Sequence, residues 1–142
     1  ILGAAEPRTT AESCSGCGAC IDACPDEAIH LDETLRPVIA SDLCMACGQC
    51  LHECPTGTLA TGKTGYRIQL GGKLGRHPRL GSELSGIFSE NQVVAILDAC
   101  LSHYKTHSRN GRRFAELVDQ AFLDDLQSRF VGHSDGPSPG KR

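Results

Sequence analysis

Along this chain the apolar and polar positions predict short elements in the front part and longer ones behind. Ala28-Ile29-His30-Leu31 alternates like a strand, and Arg36-Pro37-Val38-Ile39 reads as a second strand leading through Ser41 and Asp42 toward Cys44. Tyr66-Arg67-Ile68-Gln69-Leu70 alternates more cleanly, with Tyr66, Ile68 and Leu70 on one face and Arg67 and Gln69 on the other. Successive strand side chains point to opposite faces, so one side of this segment is expected to be buried. Ser89 with Gln92 three residues on forms a capping box, which predicts a helix to about Thr106. Its Val93, Ile96, Leu97, Cys100, Leu101 and Tyr104 recur at helical spacing and predict a core face. A second helix is predicted over 112–130, with Phe114, Leu117, Val118, Phe122, Leu126 and Phe130 as its apolar stripe. Residues 1–10 are expected to be a lead-in, and residues 132–142 a disordered tail, since they have nothing apolar to bury.

Composition narrows the class. With 142 residues, 39% hydrophobic and 22% charged, the chain fits one domain or two small ones. Its apolar runs are far shorter than the roughly 20 residues of a membrane helix, and the start carries no signal-peptide pattern. Ile1-Leu2-Gly3 lacks an initiator methionine, which predicts a processed protein or a piece of a longer one.

The nine cysteines change the picture most. Cys14-Ser-Gly-Cys17-Gly-Ala-Cys20-Ile-Asp-Ala-Cys24-Pro25 returns thirty residues later as Cys44-Met-Ala-Cys47-Gly-Gln-Cys50-Leu-His-Glu-Cys54-Pro55. Both copies have the bacterial-ferredoxin spacing, in which thiolates hold four-iron, four-sulfur clusters and the fourth cysteine crosses to the other cluster. Two [4Fe-4S] clusters are expected, one held by Cys14, Cys17, Cys20 and Cys54, the other by Cys44, Cys47, Cys50 and Cys24. In the alternative, each block keeps its own four cysteines, but two ligands one helical turn apart make that geometry awkward. Disulfide scaffolds seldom repeat one four-cysteine string with proline after it, and zinc sites favour isolated Cys-x2-Cys pairs. Glycine and alanine at positions 16, 18, 19, 46 and 48 leave room for a cluster and leave amides to point at sulfur. Oxidation-sensitive thiolates point to a reducing cytoplasm. Two loaded clusters take the formal charge from -3 to about -7, which argues against nucleic acid as a partner.

Other motifs weigh less. Gly57-Thr-Leu-Ala-Thr-Gly62-Lys63-Thr64 has the letters of a phosphate-binding loop, but a cluster segment precedes it and a strand pattern follows, where that loop needs a helix N-terminus. Cys100 lies on an apolar helix face and reads as a small buried hydrophobe. Lys73, Arg76, His77 and Arg79 crowd a glycine-rich turn; they could clamp carboxylates or a small oxyanion, or belong to a solvated loop, and spacing fits both. The six histidines are scattered, none paired for nucleophilic catalysis.

Taken together, residues 3–7, the two cysteine blocks and the string Gly65-Tyr-Arg-Ile-Gln-Leu-Gly-Gly-Lys-Leu-Gly-Arg-His-Pro-Arg-Leu80 resemble the C-terminal part of sirohaem-dependent sulfite reductases with an inserted ferredoxin domain, the dissimilatory and anaerobic type. The pattern continues through the capped helix and Asn110-Gly-Arg-Arg-Phe114, and the Gly-Gly-Lys-Leu-Gly-Arg-His-Pro stretch is its discriminating part. The resemblance implies an electron-feeding domain plus the closing part of a sirohaem-binding fold. In that family a Cys-x5-Cys and Cys-x3-Cys pair before the insertion binds the cluster bridged to sirohaem, and this chain has no such pair to spare. The basic turn from Lys73 to Arg79 would then lie toward sirohaem carboxylates or the sulfite pocket.

The expectation is an α+β chain: a bacterial-type 2[4Fe-4S] ferredoxin-like domain over 11–62, then a strand-plus-helices segment of a sulfite or nitrite reductase fold over 63–131. Its expected partners are the remainder of the reductase and an electron donor, with sulfite the substrate of the complete enzyme. Rival readings are a free-standing ferredoxin carrier and a subunit of another oxidoreductase such as a nitrite reductase.

Overall fold

The structure, a computed structural model, describes residues 1–131. The tail expected at 132–142 lies outside the described residues. The chain forms two compact units, Leu2–Gly65 and one beginning at Tyr66.

The front unit contains β1 (Leu2–Thr9), α1 (Ala19–Asp22), β2 (Ile29–Leu31), β3 (Pro37–Ile39), α2 (Gln49–Glu53) and the opening half of β4 (Leu59–Leu70). The segment expected as a lead-in is therefore a strand, and β1 neighbours β4 in a sheet. Gly62 permits the approach, because a Cβ there would stand 3.1 Å from the Glu6 carbonyl oxygen. Lys63 and Thr64 also lie within β4, so no helix N-terminus follows Gly57 and no phosphate loop forms. β2 and β3 pair antiparallel, with Ile29 opposite Ile39 and Leu31 opposite Pro37. Asp32 closes their turn: one carboxylate oxygen accepts from the Thr34 amide at 2.8 Å, the Thr34 hydroxyl at 2.7 Å and the Arg36 amide at 2.9 Å. The Thr34 hydroxyl and then the Arg36 amide hold this carboxyl below its ordinary pKa.

The core of this unit repeats with the sequence. Cys20 and Ile29 are buried in one cluster with Cys50 and Leu59, and Ile21 and Leu51 pack against it. Each first-block residue has its mate thirty positions later. The duplication is thus one of packing as well as of ligands.

In the back unit the closing half of β4 pairs antiparallel with β5 (Ser82–Phe88), setting Tyr66 opposite Phe88 and Ile68 opposite Leu84. Ile68, Leu84 and Phe88 are buried with Val93, Ile96 and Cys100 of α3 (Glu90–His107) and with Phe122 and Leu126 of α4 (Gln120–Phe130). The capping box is present: the Ser89 amide donates to the Gln92 side chain at 2.8 Å, and the Gln92 amide to the Ser89 hydroxyl at 3.4 Å.

Two expectations are corrected here. The broad core face of α3 splits: Val93, Ile96 and Cys100 are buried, whereas Leu97, Leu101 and Tyr104 are exposed. Both sets keep helical spacing, but β4, β5 and α4 reach only the first. The helix expected over 112–130 is also interrupted, with a 3-10 turn at Phe114–Glu116 and α4 beginning only at Gln120. Asp119 is extended at ψ 175° and its carboxylate accepts the Phe122 amide at 2.9 Å, so it starts a new helix. Among the described residues no helix is long and apolar enough to cross a membrane.

Candidate metal centre

The two cysteine blocks adopt matching backbone shapes. Gly18 and Gly48 precede α1 and α2 with φ of 77° and 76°, left-handed values that glycine adopts without steric cost. Each loop thereby turns sharply enough to put its third cysteine, Cys20 or Cys50, in the first helical turn and inside the unit. The fourth, Cys24 or Cys54, falls just past the short helix. Exposure repeats as well: Cys17 and Cys47 are exposed, Cys20 and Cys50 buried, and Cys14, Cys24, Cys44 and Cys54 half-buried. Next to the second block, the Ala5 amide of β1 donates to the Ala46 carbonyl at 2.8 Å.

Two of the sulfurs, the buried Cys20 and Cys50, each feel cysteines of both blocks. Burial raises the Cys20 thiol pKa, and the thiolates of Cys14, Cys54 and Cys17 raise it further. Burial likewise pushes Cys50 up to about 11, aided by Cys44, Cys47 and Cys24, with Cys20 a smaller contributor. Bringing thiolates this close is unfavourable without a cation, and bound iron relieves that repulsion as it displaces the protons.

Backbone amides face the sulfurs. Gly16 donates to Cys14 Sγ at 3.4 Å, Ala28 to Cys24 Sγ at 3.3 Å and Leu59 to Cys54 Sγ at 3.4 Å. At Cys54 burial raises the thiol pKa, but the Leu59 amide, the Thr56 hydroxyl and the Thr56 and Gly57 amides together outweigh it and lower the net value. At exposed Cys17 the Ala19 amide and then the Ser15 side chain lower it.

Sequence reasoning missed Thr56 and Thr58. Thr56 Oγ1 lies 3.7 Å from Cys54 Sγ and 2.8 Å from Thr58 Oγ1, and the Thr58 hydroxyl donates to the Ser13 carbonyl at 3.1 Å. The available signal was the change from Pro25-Asp-Glu to Pro55-Thr-Gly between the two blocks.

The donor set fits two [4Fe-4S] clusters. Among the described residues no three His, Cys, Asp or Glu side chains form a site for a single ion. A four-iron cube poses a different requirement, since its four cysteines are spread over four irons. Cys100 stays apart, buried in the back unit's core with its thiol pKa raised by that burial. Lys73, Arg76, His77 and Arg79 are exposed on the loop between β4 and β5. Lys73 and Arg79 face each other there, each amide donating to the other's carbonyl at 2.9 Å. The Arg79 guanidinium is committed to the fold, donating to the Gly71 carbonyl at 3.0 Å and also to the Ala115 carbonyl.

Residues 13–58 match the family model of the 4Fe-4S dicluster domain. The front unit thus carries a ferredoxin-type iron-sulfur domain, a class that points to electron transfer. A search of curated proteins finds no match. Among solved structures, the crystal structure of dissimilatory sulfite reductase I is similar, with 18% identity and a TM-score of 0.53 over 88% of this chain. At that identity the likeness is one of fold, and this chain spans 31% of that protein's chain.

Proposed function

We propose that this chain relays single electrons through two [4Fe-4S] clusters toward the sirohaem centre of a sulfite reductase in a reducing cytoplasm. The observation that carries the relay is the dicluster domain over 13–58, with buried Cys20 and Cys50 each near cysteines of both blocks. The sulfite assignment draws support from the string over 65–80 and from a fold likeness to a sulfite reductase that takes in 88% of the chain, well beyond the cysteine blocks. A free-standing carrier needs no back unit with capped helices and a core of its own.

The chain does not itself supply a cysteine set for a sirohaem-bridging cluster: eight of its nine cysteines belong to the two crossed sets, and Cys100 is buried apart from them. Sirohaem, housed in the rest of the enzyme, supplies the six-electron reduction of sulfite, and electrons delivered singly suit that demand. Lys73, Arg76 and His77 are the cations proposed to face its carboxylates or the sulfite, with Arg79 fixing the loop that presents them.

Reading the coding sequence upstream of Ile1 tests the assignment. A Cys-x5-Cys and Cys-x3-Cys pair there supports the reductase; a start codon immediately before Ile1 contradicts it. In the complete enzyme Arg76→Glu is expected to slow sulfite reduction with iron content unchanged, and unaltered kinetics would return the loop to a solvated role.

A further inference from the structure

The repeat that makes the two sulfur sets alike also shows where they differ. Before the first cysteine of each block stands a carboxylate, Glu12 or Asp42, thirty positions apart. Each fourth cysteine accepts a backbone amide from the strand that follows or its approach, Ala28 at 3.3 Å or Leu59 at 3.4 Å. On the short helices, Asp22 of α1 is offset by Glu53 of α2. These contributions are alike in the two sets, while the Gly16 amide, 3.4 Å from Cys14 Sγ, adds a donor to the Cys14 set.

The turns after the fourth cysteines are not balanced. Pro25 is followed by Asp26 and Glu27, whereas Pro55 is followed by Thr56 and Gly57. The backbone is conserved through the exchange, since Glu27 and Gly57 take left-handed φ of 51° and 70°. One turn therefore sets two carboxylates within three residues of Cys24. The other sets a hydroxyl 3.7 Å from Cys54 Sγ.

The protons of the hydroxyl chain can be assigned. Each hydroxyl has one proton: with Thr58 donating to the Ser13 carbonyl, Thr56 gives its own to Thr58, and only the reversed chain, Thr58 to Thr56, leaves the Thr56 proton for Cys54, the arrangement a thiolate there draws. Once Cys54 is an iron-bound thiolate it has no proton to give, and a hydrogen bond between it and Thr56 can run only from hydroxyl to sulfur. Donors to a ligand sulfur favour the more negative, reduced state of a cluster, and nearby carboxylates oppose it.

We propose that Asp26 and Glu27 beside Cys24, and Thr56 beside Cys54, set the two clusters at different potentials, the one held by Cys14, Cys17, Cys20 and Cys54 being the more easily reduced. This rests on the two-cluster reading. The ordering makes that position the one where a single electron settles, and it gives the relay a direction, from the Cys44 set to the Cys14 set. Exposed Cys17 and Cys47 give each set one ligand at the surface.

The test is a dithionite titration of the anaerobically reconstituted full chain, followed by electron paramagnetic resonance, with iron counted in the same sample. Two midpoints are expected, separated by at least a tenfold ratio of one-electron equilibrium constants, about 59 mV. Thr56→Val should lower the upper midpoint alone, and the exposed pair Asp26→Asn with Glu27→Gln should raise the lower midpoint alone. Coincident midpoints, a Thr56→Val shift in the lower midpoint, or an Asp26/Glu27 shift in the upper one would overturn the ordering. If Thr56→Val loses iron, the charge pair decides by itself, and its failure to move the lower midpoint rejects the proposal. Failure of the wild-type chain to take up two clusters is a separate outcome: it removes the two-cluster reading and the ordering with it.

Discussion

The thiolate of Cys54 bears on Cys20, a residue of the other cysteine block, while Cys50, which shares a block with Cys54, feels Cys24 instead. This exchange follows from the two turns that close α1 and α2. Both helices end before the fourth cysteine, so Cys24 and Cys54 lie on the turns rather than on the helices that carry Cys20 and Cys50.

Across β4 and β5, Arg67 donates to the Glu83 carboxylate through Nε at 2.5 Å and Nη2 at 2.7 Å, and Gln69 adds a bond at 3.0 Å. The Arg67 bonds, then Gln69, hold the Glu83 carboxyl below its ordinary 4.5. A lowered folded pKa stabilises the fold above the unfolded value, and the gain fades as pH falls through the folded value. Glu83→Gln is expected to cost about 1 kcal/mol at neutral pH and to cost less as the medium is acidified below the ordinary carboxylate range. Denaturant melts at pH 7 and pH 3 measure this, and an equal cost at both would contradict it.

Leu126 is fully buried where α4 meets α3 and β5. Leu126→Ala should destabilise the back unit by about 2–5 kcal/mol, because the lost contacts leave a cavity that strand and helix cannot close. Chemical denaturation followed by far-ultraviolet circular dichroism gives the figure; a cost under about 1 kcal/mol would mean that the helix is not seated as described.

Ser89→Ala removes one half of the reciprocal cap on α3. The expected loss is about 1 kcal/mol, recovered in large part by Ser89→Asp, whose carboxylate accepts the same amide and suits the helix N-terminus. Equal stability of the alanine and aspartate variants would leave the cap without energetic weight.

How much could be read from sequence depended on whether the signal was local. Cysteine spacing dictates the loops and their short helices, and the alternation around Ile29, Val38 and Ile68 marks strands, because each signal spans only a few residues. The capping pair Ser89 and Gln92 fixes where α3 starts for the same reason. What stayed hidden depends on distant neighbours. β1 is rich in glycine and alanine and contains Pro7, so nothing in it announces a strand until Gly62 lets β4 approach. β5 is interrupted by Gly86, which blurs its alternation. The burial of Ile96 and exposure of Leu101 cannot be told apart by periodicity, since both recur at helical spacing and only the reach of α4 and β5 separates them. The crossed sulfur sets are an expectation of the ligand rule, whereas the hydroxyl chain from Thr56 to Ser13 closes only in three dimensions.

Iron content and spectra of single-cysteine variants address the relay most directly. Anaerobically reconstituted wild-type chain should hold about eight irons, and Cys54→Ala about four, with a residual spectrum matching that of Cys14→Ala and differing from that of Cys44→Ala. A Cys54→Ala spectrum that instead matches Cys44→Ala would contradict the crossed sets, and a colourless wild-type chain with zinc or disulfide-bridged thiols would contradict the iron-sulfur relay itself.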